Sequence, residues 1–330
     1  MAELPPIPEE QKGYQYEIIA DSVNKITGDR ITTFELKYPL IVHAEFCRHR
    51  CFSRSVASNR TIRTERIIQM VEEDPFIPER FPIEQKVMQA EGFYELGSKE
   101  YDQCKEVWLR GRLDAIAHAK ELISLGVHKQ IANRVLAPYQ WVREVITGTD
   151  EGYANFFALR DHSAAQGELS KMARMMKKEY LRRIPAPRSP GDFFVYSSHI
   201  PFMRSFDEKQ SLISTYGRMS AHPGASLAVN NKFLNLVNNC IKDKNNLSLL
   251  AFAISAARCA RTSLLLYEGK EFTYEEDLNL YCRLIENTPR HVSPTEHQAM
   301  PISESKYVHN LKGWRSHRDM IKDNTITEIS

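Results

Sequence analysis

The stretch EFCRHRCFSRSVASNRTIR, residues 45–63, contains five arginines, one histidine and three serines within nineteen residues. The whole chain of 330 residues has a formal net charge of only +2, so the cluster is a local feature of a nearly neutral protein. A guanidinium group is planar and permanently charged, and it can hold a phosphate through two parallel hydrogen bonds. The cluster is therefore typical of a site for a phosphorylated small molecule. The alternatives are an exposed turn with solvated arginines and a nucleic-acid patch.

The composition, 42% hydrophobic and 26% charged, is that of a globular protein. The near-neutral charge provides no overall attraction to nucleic acid or to an anionic membrane. Six cysteines are scattered without a CxxC pair, and no second pair of ligands accompanies Cys47 and Cys51. This pattern indicates reduced thiols and predicts no metal site. Because we see no apolar signal core and no stretch long enough for a membrane span, we expect a cytoplasmic protein.

Residues 30–50 predict a strand that leads into a helix. Thr32, Thr33, Phe34, Leu36 and Tyr38 favour a strand, and the following proline suits the first turn of a helix. The arginines would then lie at the end of this helix or in the loop beyond it. Further helices are predicted over residues 94–125, 127–137, 153–184 and 247–269, and a Thr/Glu-capped helix is predicted to begin at residue 273.

Four motifs together resemble those of the flavin-dependent thymidylate synthase family. RHR at 48–50, followed after seven residues by Ser58, matches the signature R-H-R-x7-S. ANFFALRDHSAAQGEL (154–169) is similar to the family's N-F-x-x-L-R helix, CARTSL (259–264) to its A-A-R-x-S segment, and HVSPTEHQA (291–299) to its H-x-[ST]-P-F-E-H motif. In the ordinary family the last two motifs come first. The chain therefore resembles a circular permutant, similar to longer versions in phage genomes.

The resemblance implies an α/β (α+β) fold in which a mixed sheet packs against long helices. It also implies one composite domain made of five parts. These are an N-terminal extension (1–31), a nucleotide and flavin catalytic core (32–184), a loop-rich insertion (185–250), a permuted FAD-binding segment (251–300) and a C-terminal tail (301–330).

The activity that the resemblance implies is methylation of dUMP at C5, which forms dTMP. FAD would be the cofactor, methylenetetrahydrofolate the carbon donor and NADPH the reductant. The expected partner is a pyrimidine deoxynucleotide monophosphate, and the enzyme would be a homotetramer with active sites shared between subunits. No membrane or nucleic acid is expected as a partner, and the location would be the host cytoplasm if the source is viral.

Site residues are carried over from the matching motifs. Arg160 matches the arginine that binds the uracil ring, and its charge would stabilise negative charge on the ring. With Ser58 it forms the implied catalytic pair, although Ser58 need not be a covalent nucleophile. The implied substrate-binding residues are Arg48, Ser58, Arg60, Asn133, Arg134 and Arg160. The implied FAD-facing residues are Arg48, His49, Arg50, Asn155, Ser263, His291, Ser293 and Glu296.

Several positions depart from the family pattern, mostly around the nucleotide. The usual residues are replaced by Glu45, Val56, Thr61, Asn133 and Ala164, and Arg134 stands one position beyond the expected arginine. A pyrimidine hydroxymethylase or a dCMP-modifying enzyme of the same fold is therefore an alternative function. A non-catalytic nucleic-acid-binding protein is a second alternative, and it predicts salt-dependent binding to oligonucleotides without flavin.

Overall fold

The computed structural model of the protein describes residues 6–86, 92–190, 197–203, 235, 247–262 and 272–321. The strands are β1 (Gln15–Asn24), β2 (Arg30–Pro39), β3 (Ser53–Val56), β4 (Arg80–Pro82), β5 (Phe93–Glu95), β6 (Trp141–Thr149), β7 (Ala186–Arg188), β8 (Ala299–Pro301), β9 (Tyr307–Val308), β10 (Leu311–Lys312) and β11 (Trp314–Ser316). The helices are α1 (His43–Cys47), α2 (Thr64–Glu73), α3 (Lys99–Ser124), α4 (Lys129–Ala132), α5 (Asp150–Arg160), α6 (Gly167–Arg182), α7 (Leu247–Thr262) and α8 (Tyr274–Glu286).

The centre of the fold is a five-stranded sheet with the strand order β3-β6-β2-β1-β7. Neighbouring strands are antiparallel except for β1 and β7, which are parallel. The sheet is therefore mixed, as the predicted fold class requires. The predicted strand over residues 32–38 lies inside β2, and the helix that follows Pro39 begins as a 3-10 turn before α1.

One face of the sheet is covered by α5 and α6. Because side chains alternate along a strand, Phe34, Leu36 and Tyr38 of β2 all point to this face. They form a buried cluster with Phe156 of α5 and Met172 of α6, among others. This layer fixes the helix that carries Arg160 against the strand that leads into the arginine cluster.

The opposite face is covered by segments from the second half of the chain. Val145 of β6 packs with Cys259 of α7, and Ile31 of β2 packs with Trp314 of β11. A helix pair, α7 and α8, supplies most of the remaining buried side chains of this layer. The sheet is thus the middle of three layers.

A row of hydrogen-bonded polar side chains crosses this second face, and we call it the polar row. Thr33 and Thr147 lie opposite each other on β2 and β6, with their hydroxyl oxygens 2.6 Å apart. His199 and His297 bond to these threonines at 2.8 Å. The row ends at two serines, which contact the far nitrogens of the histidines. Its members in spatial order are Ser22, His199, Thr33, Thr147, His297 and Ser55.

The buried histidines predict that acid weakens the fold. Burial lowers the pKa of both His297 and His317 to about 3, against an ordinary value of 6.5 in the unfolded chain. Between these pH values the unfolded chain binds more protons, so stability falls as the pH drops below 6.5. At pH 5 each histidine should lower the free energy of unfolding by about 2 kcal/mol relative to pH 7.

Urea unfolding at pH 7 and pH 5 measures this loss. The variant His118→Gln should retain the full pH dependence, because His118 is exposed on α3. The variant His317→Gln should show a smaller difference between the two pH values. An equal free energy of unfolding at pH 7 and pH 5 in the unmodified protein would contradict the prediction.

A helical unit adjoins the end of the sheet. Ile67 of α2, Ala119 of α3 and Leu136 of a 3-10 helix over Asn133–Tyr139 share one buried cluster. Gly111 of α3 allows close packing, because a Cβ atom there would lie 2.6 Å from the hydroxyl of Tyr139. This unit places the 3-10 helix beside the loop that follows β3.

The single helix predicted over residues 153–184 is wrong, because the structure has two helices there. α5 ends at Arg160, and Asp161 leaves the helical region with a ψ angle of 58°. The carboxylate of Asp161 instead accepts hydrogen bonds from Lys177 (2.8 Å) and Arg174 (3.5 Å) on α6. Because of this break, Asn155 and Gln166 do not lie on one face of a single helix.

Two other predicted helices differ in their bounds. The helix predicted from residue 94 begins at Lys99, where the Ser98 hydroxyl caps it by accepting from the Tyr101 amide. The helix predicted over residues 127–137 is the short α4 followed by the 3-10 helix, which does not stop before Pro138 but continues through it to Tyr139. The Thr/Glu-capped helix is confirmed as α8, with a capping box between Thr273 and Glu276.

The two ends of the described chain join the fold. Residues 15–24 fall within the predicted N-terminal extension, and they form β1, an interior strand of the sheet between β2 and β7. In the tail, the Trp314 indole donates to the Asp29 carbonyl oxygen at 3.1 Å. Gly313 has a positive φ of +74°, and a Cβ atom there would lie 2.2 Å from the Asp29 carboxylate. The described part of the tail is therefore docked against the turn between β1 and β2.

Candidate functional site

The arginine cluster runs from the end of α1 through β3 into the loop beyond it, and its arginines have different surroundings. Arg48 and Arg50 are exposed, while His49 between them is buried. Arg54 lies on β3, where the alternation of side chains directs it to the face opposite to Ser53 and Ser55. The segment thus presents four arginines to solvent, Arg48, Arg50, Arg60 and Arg63, and directs Arg54 inwards.

Arg54 has a structural role that the sequence analysis did not predict. Its guanidinium donates to the carboxylate of Glu144 at 2.8 Å and to the carbonyl oxygen of Phe46 at 2.7 Å. Glu144 is completely buried, and its second oxygen accepts a hydrogen bond from the hydroxyl of Tyr38 at 2.5 Å. A buried carboxylate requires such partners. Arg54 therefore serves as the partner of the buried Glu144 carboxylate. Ligand binding alone does not explain why the segment contains so many arginines.

A cavity of about 640 Å³ lies where the loop after β3, α2, the 3-10 helix and the end of β6 meet. Ser58, Arg60 and Arg134 line it, so the structure brings together three of the predicted substrate-binding residues. Arg143 also lines the cavity, with its guanidinium 3.8 Å from the carboxylate of Glu35, and no carboxylate is among the residues that line this cavity. The remaining wall includes apolar side chains from Leu40, Val56, Ile62, Ile67, Met70 and Val142. The cavity is therefore suited to an anion attached to a less polar body.

Asn133 and Arg134 play different parts at this cavity. The Asn133 side chain is buried, and its amide donates to the carbonyl oxygens of Asn59 (2.8 Å) and Ile62 (3.0 Å). Asn133 thus holds the loop that carries Ser58 and does not itself line the cavity, whereas Arg134 does. The shift of one position along the chain therefore leaves an arginine at the cavity.

Arg160 meets the arginine cluster but does not line the 640 Å³ cavity. Its Nε atom donates to Nε2 of His49 at 2.9 Å, which requires that this nitrogen carries no proton. Burial, together with the positive charges of Arg160 and Arg54, lowers the pKa of His49 to about 4. At neutral pH His49 is thus an uncharged acceptor that orients Arg160.

The motif at residues 291–299 packs directly on β3. His297, a member of the polar row, bonds to Ser55 at 2.9 Å and so places the preceding 3-10 turn beside the arginine cluster. His291 and Ser293 are exposed, and Glu296 is ion-paired with Arg318 from the tail. Two predicted FAD-facing residues are therefore accessible, while Glu296 already has a partner within the chain.

The remaining predicted residues are less closely connected. Asn155 is exposed on α5, the helix that ends at Arg160. Ser263 lies outside the described residues. Two residues before it, Arg261 is buried and donates to Asp277 of α8 at 2.9 Å. Among the described residues no group of three or more His, Cys, Asp and Glu side chains could hold a metal ion, and no helix has the length and apolarity to cross a membrane.

Several residues that line the cavity were not predicted from the sequence. His43, Gln140, Trp141 and Arg143 belong to none of the four motifs. His43 and Arg143 do carry a signal in the sequence, since each is a polar residue inside a run of apolar or strand-forming residues. That signal does not show where the two side chains lie in the fold. Their position at one end of the sheet depends on the order of strands that come from distant parts of the chain.

A second cavity, of about 720 Å³, lies on the other side of the turn before α1. Leu40 lines the first cavity and Ile41 lines the second. The rings of Phe81, Phe93 and Trp108 form part of its wall. The guanidinium of Arg80, which also lines it, lies 3.9 Å from the centre of the Phe93 ring. The opposite wall is formed by residues 163–168, which belong to the loop between α5 and α6 and to the first turn of α6.

Comparisons with known proteins match this chain to one family model. A family model described as thymidylate synthase complementing protein matches residues 9–186. The similar solved structures include the UMP/dUMP methylase PolB from Streptomyces cacaoi bound with 5-Br dUMP, at 15% identity and a TM-score of 0.43, covering 52% of this chain and 91% of that chain. The same protein bound with 5-Br UMP matches at 16% identity and a TM-score of 0.44, covering 52% of this chain and 90% of that chain. No curated protein matches this sequence.

Proposed function

Because this chain belongs to the thymidylate synthase complementing protein family, we propose that it is a flavin-dependent enzyme that methylates dUMP at C5 to form dTMP. We propose methylenetetrahydrofolate as the carbon donor and NADPH as the reductant of FAD. The observation that carries this proposal is the 640 Å³ cavity, which is lined by Ser58, Arg60 and Arg134 and by no carboxylate.

The cavity supports binding of a nucleoside monophosphate. Its volume lies within the range of small-molecule sites, roughly 300–1,000 Å³. The guanidinium groups of Arg60 and Arg134 and the hydroxyl of Ser58 are donors suited to a phosphate. The apolar side chains of Leu40 and Val142 provide surface for the sugar and base. In this proposal Ser58 binds substrate, and no covalent bond to Ser58 is required.

Because Arg160 does not line the 640 Å³ cavity of its own chain, we propose that it acts on the pyrimidine ring of a nucleotide bound to another subunit of the homotetramer. The contact with His49 leaves the permanent charge of the guanidinium in place, because His49 is uncharged at neutral pH. A fixed positive charge stabilises negative charge that develops on the ring as C5 becomes nucleophilic. A guanidinium donates hydrogen bonds and accepts none, so it favours the carbonyl groups of uracil over the amino group of cytosine.

The side chains near the arginine cluster fit a flavin dinucleotide. Arg48 and Arg50 are exposed cations, and Asn155, His291 and Ser293 are exposed hydrogen-bonding groups. Such a set suits a ligand that carries two phosphates and a polar ring. FAD, when bound, supplies the hydride chemistry, and these residues would bind and orient it. The aromatic wall and Arg80 of the 720 Å³ cavity suit a planar co-substrate with a negative charge.

We propose that a homotetramer completes these sites. Five of the candidate FAD-facing residues are exposed, namely Arg48, Arg50, Asn155, His291 and Ser293. Leu159, which stands beside Arg160 on α5, has 54% of its surface exposed. An exposed apolar side chain next to binding residues suits coverage by another subunit. We also propose that the chain is circularly permuted, which the packing of residues 291–299 against β3 supports.

A flavin spectrum followed by nucleotide titration tests the proposed function. We expect the purified protein to show, or to acquire with added FAD, a visible flavin spectrum that shifts on addition of dUMP. Mass spectrometry of the product should identify dTMP and would separate it from a hydroxymethylated nucleotide. A spectrum that responds to dCMP and not to dUMP would favour the cytosine alternative. A protein that takes up no flavin would contradict the proposal.

The substitution Arg60→Ala should weaken dUMP binding by about 10- to 100-fold, the worth of a charge-assisted hydrogen bond. Arg63→Ala is the matched control, because Arg63 is exposed three residues further on and does not line the cavity. Isothermal titration calorimetry measures both affinities. Equal losses of affinity in the two variants would show that the arginines act only through the general charge of the loop.

A further inference from the structure

His43 lines the 640 Å³ cavity although it belongs to none of the four motifs. A chain of hydrogen bonds leads from its ring into the protein interior. Nδ1 of His43 lies 2.7 Å from the hydroxyl oxygen of Tyr38, and this hydroxyl lies 2.5 Å from the carboxylate of Glu144. Tyr38 and Glu144 are both completely buried. Hydrogen bonds on the interior side of the ring thus hold the imidazole at the cavity.

The direction of these hydrogen bonds fixes which ring nitrogen carries the proton. Burial, together with the negative charge of Glu144, raises the pKa of Tyr38 well above 10, so its hydroxyl keeps its single proton. That proton is donated to the carboxylate of Glu144. The Tyr38 oxygen then acts as an acceptor toward His43, and Nδ1 of His43 is the donor. The second nitrogen, Nε2, therefore bears a lone pair whenever the ring is uncharged.

The Nε2 atom of His43 can change its protonation without breaking this chain. Sγ of Cys47 lies 3.5 Å from Nε2, and a thiol is a weak hydrogen-bond partner. A stronger acceptor, such as a phosphate oxygen, would attract a proton to this position. The donor at Nδ1 is unaffected, because a protonated imidazole donates from both nitrogens.

The charges that face His43 come from several elements. Glu144 on β6, acting through Tyr38 on β2, favours the protonated ring, while Arg54 on β3 opposes it. Arg60 and Arg134 also line the cavity, and the guanidinium of Arg143 lies 3.8 Å from the carboxylate of Glu35. Burial is the largest influence and lowers the pKa of His43 in the ligand-free protein. A phosphate dianion in the cavity would offset these positive charges.

We propose that His43 contacts the phosphate of the bound nucleotide and takes up one proton at Nε2 as the phosphate enters the cavity. This inference rests on the proposed function and deepens it. Glu144 and Tyr38 hold the resulting imidazolium, and the proton comes from solvent. The solvent loses the proton that His43 gains, and no other covalent bond is made or broken.

The sign of the proton exchange separates this proposal from binding by arginines alone. A phosphate monoester has a second pKa near 6, and arginines lower it, so binding by arginines alone releases protons near pH 6 and exchanges few at pH 7.5. Proton uptake at pH 7.5 therefore requires a protein group that gains a proton. His43 is the histidine among the residues that line the cavity.

Calorimetric titration of the full-length protein with dUMP at pH 7.5 tests this role. The titration is run in HEPES and in Tris, whose ionisation enthalpies differ, so the difference in heat gives the number of protons exchanged. We expect uptake of a substantial fraction of one proton with dUMP and none with deoxyuridine, which lacks the phosphate. The variant His43→Gln should lose the uptake and bind dUMP about 10-fold more weakly.

Two further variants control for indirect effects. His118→Gln should leave the uptake unchanged, because His118 is exposed on α3 and does not line the cavity. Tyr38→Phe should reduce the uptake by removing the hydroxyl that connects His43 to Glu144. Binding of dUMP without uptake, or with the same uptake in His43→Gln, would overturn the role of His43 alone. Failure of the unmodified protein to bind dUMP would overturn the proposed function as well.

Discussion

Replacing Glu144 with alanine should lower the free energy of unfolding by about 3–5 kcal/mol, the cost of breaking a buried ion pair on one side. The carboxylate is completely buried and accepts from Arg54 at 2.8 Å and from Tyr38 at 2.5 Å. Its loss would leave a largely buried guanidinium without its counter-charge and the Tyr38 hydroxyl without its acceptor. Glu144→Gln keeps an acceptor and should cost less.

Urea unfolding at 25 °C measures these losses. Glu106→Ala is the matched control, since Glu106 is paired with Arg110 at 3.8 Å on the exposed surface of α3. An exposed pair contributes little, so this variant should leave the free energy of unfolding nearly unchanged. If Glu144→Ala lost no more stability than Glu106→Ala, the network around Glu144 would not be a stabilising feature of the fold.

Replacing Arg160 with alanine should lower the turnover rate by about 10²- to 10³-fold, the usual effect of removing one group that stabilises transition-state charge. This expectation rests on the proposed function. Arg160 is the predicted ring-binding residue that the structure ties to the RHR signature, through its bond to His49. Arg160→Lys should recover little activity, because an ammonium group lacks the planar pair of donors.

The pKa of His49 provides a readout of the same substitution that does not depend on turnover. Removing the positive charge of Arg160 should raise this pKa above its value of about 4, while burial keeps it below 6.5. Nuclear magnetic resonance titration of the histidine ring measures the change. Arg174→Ala on α6 is the control, because Arg174 is exposed and pairs with Asp161. An unchanged His49 pKa in Arg160→Ala would argue against the contact.

Local patterns predicted the part of the fold that local interactions determine. The strand-to-helix transition at Pro39 follows from β-forming residues and from a proline suited to a first turn. The end of α5 at Arg160 was missed because it depends on Asp161 pairing with Lys177, two residues that a continuous helix would keep apart. A tertiary ion pair of this kind leaves no periodic signal in the sequence.

The candidate site was likewise predicted only in part. Ser58, Arg60 and Arg134 were identified by resemblance, and they line one cavity. His43 and Arg143 were missed, because the strand order β3-β6-β2 brings their parts of the chain together at the end of the sheet. Arg54 was counted within a ligand-binding cluster but serves a buried carboxylate, since composition alone does not show to which face of a strand a side chain points.

The polar row has a consequence for synthesis on the ribosome. Ser22, Thr33, Ser55 and Thr147 are translated before the segments that carry His199 and His297. The last covering strand ends at Ser316, roughly 130 residues after β7, so this face of the sheet stays uncovered for on the order of ten seconds. An apolar face would be prone to aggregation during that interval. Hydroxyl groups can bond to water until the histidines arrive, so we expect the part of this face that carries the polar row to stay hydrated during the delay.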